Sequence, residues 1–319
     1  MCTASALYNA RVNRRTFLGA AAACSTELLA APPQQHPIVD THIHLFDISR
    51  PEGVPWPPKN SSIYKSSLPD SYRKLTAPFG ITGAIAVECS PWPADNDWVL
   101  NIARDAPIIL GMVGNLELGT PDFGKQLERL HKNSLFRGIR YGNLWGRDLG
   151  NAISKPEFIA GLKLLADADL ALDTANPTPA LMRAAARITD RVPNLRMVLD
   201  HMPQLKIPDD PAGRKDCEAD LRSLAARPNV FAKISGIVRR VDGRVPLDVG
   251  FYHDRLDHVW DIFGPDRLLF GSDWPNSAQW ATYPQVFQLA RDFLSSKDAA
   301  SVEKIYWKNS LRAYRWKRR

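Results

Sequence analysis

Cysteine is scarce in this chain of 319 residues: there are four, Cys2, Cys24, Cys89 and Cys217. None stands in a CxxC spacing, which excludes a thiolate metal knot, and so few in so long a chain exclude a disulfide framework. No GxGxxG or GxxxxGK(S/T) occurs, so no turn is built to cradle the phosphates of a nucleotide. Past the first 35 residues no apolar run is long enough to cross a bilayer, and neither an internal repeat nor a low-complexity tract is present.

A basic body is missing too, although the formal net charge is +7. Residues 1–30 carry Arg11, Arg14 and Arg15 against Glu27, and residues 308–319 carry six bases and no acid. Taking those nine bases and one acid from totals of 41 and 34 leaves 32 against 33. A near-neutral body argues against a nucleic-acid-tracking surface, and the terminal "RAYRWKRR" reads as a solvated end.

What is present begins with "NRRTFLGAAAACSTELLAAPPQQ", with paired Arg14 and Arg15, a short apolar stretch, small residues and a Pro/Gln spacer. The segment resembles a twin-arginine export leader, its apolar part too short to span. Residues 1–35 are therefore expected to be leader and linker, residues 36–319 one domain, and the protein periplasmic or extracellular. Lipid anchoring through Cys24 is not expected, because Ala21 stands where such sites carry leucine.

Beyond the leader, short β-branched runs alternate with longer amphipathic segments, the pattern of βα units. Expected strands cover 38–45, 82–89, 108–116, 136–142, 170–175, 195–201, 230–236 and 267–274, with helix-like stretches between them that open near prolines or acids. Eight such units predict an α/β fold, a single-domain (β/α)8 TIM barrel. A doubly wound sheet is the competing arrangement. Two segments, 49–69 and 237–254, are too long for plain connections and follow strands 1 and 7, so both would lie over the C-terminal mouth.

In such a barrel, chemistry sits at the C-terminal strand ends. There the chain places His42 and His44, Glu88, Arg140, Asp173, Asp200 with His201, Lys233 with Ser235, and Asp273 followed by Trp274. His36, His131, His253 and His258 fall in linker or helical stretches, where a surface role is expected. In "VDTHIHLFD" strand alternation sends His42 and His44 to one face, a metal-ligand spacing.

The strings "VDTHIHLFD", "AVECSPWPADNDWVL", "LFRGIRYG", "VLDHMP", "NVFAKISG" and "GPDRLLFGSDWP", in this order from Ile38 to Tyr314, resemble the amidohydrolase-related TIM-barrel hydrolases. The resemblance is to the branch holding sugar-acid lactonases and the pyrone-dicarboxylate lactonase. It implies that His42, His44, His201 and Asp273 form a catalytic and metal-binding set around one divalent metal, zinc. It further implies that Asp273 activates water and that Arg140 faces polar groups of the substrate. Two-metal relatives use a carboxylated lysine and a further histidine. Here the one strand-end lysine is Lys233, on strand 7, and strand 5 offers Asp173, so one metal is expected.

Family lactonases also work without metal, in which version Asp273 is the base and the histidines donate hydrogen bonds to the developing oxyanion. Glu88, Asp173 and Trp274 complete the expected substrate contacts. Plainer readings stand beside these: core histidines bonded to carbonyls, Asp273 as a helix cap, Arg140 in an ion pair with Glu88 or Asp173, and Trp56, Trp92 and Trp145 as rim packing. The expected function is hydrolysis of a cyclic ester of a sugar acid or related carboxylic acid. The competing readings are a metal-dependent decarboxylase and a non-catalytic exported binding barrel. The expected partner is a small-molecule substrate, with neither nucleic acid nor membrane span, and a homo-oligomer is compatible with the sequence.

Overall fold

The computed structural model describes residues 36–319, and the expected leader with its twin arginine lies outside the described residues. Eight strands follow in order: β1 (Ile38–Ile43), β2 (Ile81–Val87), β3 (Ile109–Gly114), β4 (Phe136–Arg140), β5 (Ala171–Asp173), β6 (Arg196–Leu199), β7 (Val230–Ile234) and β8 (Leu268–Phe270). Each pairs in parallel with its sequence neighbour. The ring closes where the Asp273 amide donates to the His42 carbonyl at 2.9 Å and the His44 amide to the Trp274 carbonyl at 2.8 Å. This is the (β/α)8 barrel that the alternating pattern predicts.

Several strands end two to four residues before the expected limits, for a backbone reason. His201 and Asp273, the last residues of the expected sixth strand and the penultimate residue of the eighth, have φ of 56° and 60°, so the chain leaves the ladder before reaching them. Close packing also constrains the wall: a Cβ on Gly138 would lie 2.4 Å from the Ala171 carbonyl oxygen, so β4 meets β5 only with glycine there.

Strand alternation divides the apolar residues into two buried groups. Ile38, Leu100, Leu127, Leu162 and Leu221 belong to the shell between strands and helices. Val39, Val87, Ala171, Val198, Phe231 and Leu269 belong to a second group with Tyr314 and Trp316. The second group fills the barrel, as the inward layers of this fold require.

The basic tail exposes its charged residues, as its composition suggests, but it is docked on the barrel rather than free. Trp316 is buried and its indole donates to Ser310 Oγ at 3.0 Å. The Arg319 guanidinium donates to the carbonyls of Ala103 (2.7 Å), Ala106 (3.1 Å) and Ile109 (2.9 Å). An apolar interior needing closure, and carbonyls between the end of helix Ala94–Arg104 and the start of β3 with a second lone pair to offer, account for the docking. Among the described residues no helix is long and apolar enough to cross a membrane.

Candidate active site

A cavity of about 190 Å³ opens among the strand ends, lined by His44, Arg140, His201 and Asp273. Trp56, Trp145 and Leu144 give it apolar walls, and Asn176, Gln204 and Asn276 bring amides. Its backbone is strained: of seven non-glycine residues with positive φ among the described residues, Trp145, Asn176, His201 and Asp273 line this cavity. Left-handed non-glycine residues cost about 1 kcal/mol or more each and cluster where geometry is over-determined by function.

At the foot of the cavity three imidazoles surround one carboxylate oxygen. Asp273 Oδ1 lies 3.3 Å from His44 Nε2, 3.7 Å from His42 Nε2 and 3.9 Å from His201 Nε2. Its other oxygen accepts from the Asn276 amide at 2.8 Å. His44 Nδ1 meets the Val87 carbonyl at 3.0 Å, and a carbonyl only accepts, so Nδ1 carries the proton. His44 Nε2 faces the Asp273 carboxylate, a contact that a ring proton or a bound cation can bridge.

A deeper layer supports this one. Alternation carries Asp173, Asp200 and Lys233 onto the same inward face as Ala171, Val198 and Phe231, two residues earlier on each strand. Lys233 Nζ donates to Asp173 Oδ2 at 2.7 Å and stands 2.9 Å from Asp200 Oδ1 and 3.2 Å from His42 Nδ1. Arg140 Nε lies 3.2 Å from Asp200 Oδ2, and its Nη1 lies 3.9 Å from Glu88 Oε1.

Burial dominates the electrostatics. It pushes the imidazoles of His42 and His201 down, His42 well below its ordinary value, despite the pull of Asp200 and Asp273. Burial would raise Asp273, but the imidazoles of His201, His44 and His42 around it outweigh that and hold its carboxyl well below the usual range. Asp200 likewise overcomes burial, because Lys233, His42 and Arg140 surround it.

Three imidazoles, a carboxylate and the buried, unpartnered His42 Nε2 together suit a divalent transition metal. His42 Nδ1 also lies 3.5 Å from Asp200, the contact through which that ring can keep its proton on Nδ1 and present Nε2 as a ligand.

Residues 39–316 match the family described as amidohydrolase. The chain belongs to the amidohydrolase family. It is 30% identical over 243 residues to the L-fucono-1,5-lactonase of Burkholderia ambifaria, covering 75% of this chain and 80% of that enzyme. It is 27% identical to the L-fucono-1,5-lactonase of Burkholderia multivorans over 84% of this chain and 92% of the relative. An amidohydrolase of Burkholderia multivorans crystallised with bound zinc shares its fold, with a TM-score of 0.76 and 24% identity over 88% of this chain and 100% of the other.

In this amidohydrolase the expected site residues do not all reach the cavity. His44, His201, Arg140 and Asp273 line it, and His42 stands directly behind, 4.4 Å from His201 between ring centroids. Glu88 lies behind a wall: Oε2 accepts from the Trp145 indole at 3.0 Å and the Ser90 amide at 3.1 Å, and burial pushes its carboxyl up. Asp173 is fully buried, bonded to Lys233 and, at 2.7 Å, to the Tyr314 hydroxyl. Trp274 packs on Tyr72, centroids 5.2 Å apart. Neither Asp173 nor Trp274 lines the cavity, because the first faces the deep layer and the second the helices.

The amides Asn176, Gln204 and Asn276 were not among the expected residues. Their one sequence signal is spacing: each follows a strand-end Asp or His by three positions, in "DTAN", "HMPQ" and "DWPN".

Proposed function

We propose that this amidohydrolase hydrolyses the lactone of a sugar acid, and that L-fucono-1,5-lactone is the first compound to assay. The observation that carries the reading is a single carboxylate oxygen ringed by three imidazole nitrogens, at the foot of a cavity whose one fixed cation is already paired. Because Asp200 and Glu88 flank Arg140, the cavity lining has no free positive charge for a substrate carboxylate. That disfavours a charged acid, the substrate of a decarboxylase, and suits a neutral lactone. The amides and Arg140 offer hydrogen bonds to ring hydroxyls, and the indoles of Trp56 and Trp145 offer flat apolar faces.

Asp273 takes a proton from the water that attacks the lactone carbonyl. It returns that proton to the ring oxygen as the carbon–oxygen bond breaks, leaving one hydroxy acid. A carboxylate held so far down is a weak base toward free water. Zinc is the ion proposed for His42, His44, His201 and Asp273, and when bound it would lower the pKa of water toward ~7 and polarise a carbonyl. Asn276 keeps Oδ2 turned toward its amide, which aims Oδ1 at the histidines.

The test is turnover of an aldonolactone panel by protein as purified, after chelator treatment and after zinc is restored. Hydrolysis that is lost on stripping and regained with zinc is the expected result. Absence of any lactone turnover by folded, zinc-supplied protein would overturn the assignment, and full activity after stripping would leave Asp273 as the unaided base.

The "NRR" start supports export through the twin-arginine route. Replacing Arg14 and Arg15 with lysine should leave the protein in the cytoplasmic fraction.

A further inference from the structure

Beneath the histidines, Lys233 has no solvent exposure and reaches no cavity wall. Its ammonium donates to Asp173 Oδ2 at 2.7 Å, is ion-paired with Asp200 Oδ1 at 2.9 Å and stands 3.2 Å from His42 Nδ1. Below it lies the ring of Tyr314, 5.5 Å from Nζ, so the cation is enclosed on every side. Carboxylates from two strands flank one buried point, the kind of oxygen ligand a hard cation takes, and here an amino group fills that point.

We propose that Lys233 is an internal cation filling a second ion site of the barrel, so that the deep layer is closed to metal. Charge supports the assignment. Asp173 and Asp200 bring two negative charges into a fully buried layer, and Lys233 with Arg140 brings two positive ones. Removing the ammonium leaves the layer one charge short and two carboxylates facing each other, a state buried groups avoid by acquiring a counter-ion.

The oxygen Asp173 Oδ1 already has no hydrogen-bond partner and is available to a ligand. The lengths of 2.7 to 3.2 Å around Nζ are those of ammonium contacts, longer than the roughly 2.0–2.6 Å of metal–oxygen bonds, so the layer is set for nitrogen. Substitution by a small residue frees the space that Nζ and its stem occupy.

The metal reading of the cavity enters this inference only for the ion above, and the measurement is a difference that is independent of it. Wild-type protein and Lys233→Ala are stripped, equilibrated with manganese, freed of unbound ion and analysed for metal per chain by mass spectrometry, with melting temperature followed in parallel. Manganese is the probe because carboxylate oxygens suit it.

The variant should hold one more ion per chain than wild type, and its melting temperature should rise with manganese by more than that of wild type. A wild type that holds no ion beside a variant that holds one would sink the cavity reading and leave this one standing. Equal metal content in two folded proteins overturns it, as does a wild type that takes two ions. If Lys233→Ala is unfolded without metal, recovery of the wild-type circular dichroism spectrum on adding manganese supports the proposal, and failure to recover overturns it.

Discussion

Asp273 combines three constraints that no other residue of the cavity shares. It has a left-handed backbone, a carboxyl held down by imidazoles against the effect of burial, and one oxygen committed to Asn276. Asn in its place would keep the shape and lose the charge. We expect Asp273→Asn to lower kcat on a lactone substrate by about 10²–10⁴-fold, the usual worth of a positioned base, with the fold unchanged by circular dichroism. An unchanged kcat would remove Asp273 from the chemistry.

Glu88 acts through Trp145, which it holds by the indole N–H. Losing a buried hydrogen bond to a charged group costs about 1.5–3 kcal/mol, so Glu88→Ala should raise KM roughly tenfold or more while kcat changes little. An equal loss in kcat would instead place Glu88 in the reacting layer. Much of this was legible beforehand: HxH and the GSDWP aspartate stand at strand ends where the fold puts chemistry. The amides were not, since Asn and Gln in loops are ordinary turn residues until a cavity collects them.

Strands β5 and β7, and β6 with the residue that follows it, each carry an inward apolar residue followed two positions later by an inward charge, the first at mid-barrel and the second in the deep layer beneath the histidines. Period-two alternation makes that reading available from the chain. Where the strands stop was not available, because the exit at His201 and Asp273 depends on left-handed φ values that neither residue type dictates. The C-terminal segment shows the opposite failure of pattern. Its charges suggested solvent, yet Tyr314 and Trp316 join the barrel interior. Trp316→Ala should therefore cost about 3 kcal/mol or more, as for a buried tryptophan elsewhere, visible as a fall in the denaturant midpoint. A shift under about 0.5 kcal/mol, typical of surface changes, would contradict the docking.

Tyrosines give the molecule its pH signature. Burial pushes Tyr306 and Tyr141 up to about 12, and Tyr72, Tyr283 and Tyr314 well above the ordinary value as well. The native state thus keeps phenolic protons that the unfolded chain gives up near pH 10, so their contribution is whole below about pH 10 and is lost as pH rises toward 12. Melting temperature should hold steady up to about pH 9.5 and fall steeply above 10, in step with the absorbance of ionised tyrosine near 295 nm. Native-state titration of these phenols near pH 10 would refute it.

The alternating βα pattern and the absent phosphate loops were enough for the barrel, and the resemblance of the strand-end strings to the amidohydrolases for the kind of chemistry, because each depends on residues close in the chain. Which charges meet which depended on closure of the ring. Arg140, Asp200 and Lys233 come from three strands, and their distances follow from strand tilt and from the packing beneath them. Competition among buried charges then gave Lys233 to the carboxylates, left Arg140 without a free charge and kept Asp173 from the cavity. No spacing along the chain encodes the outcome of that competition.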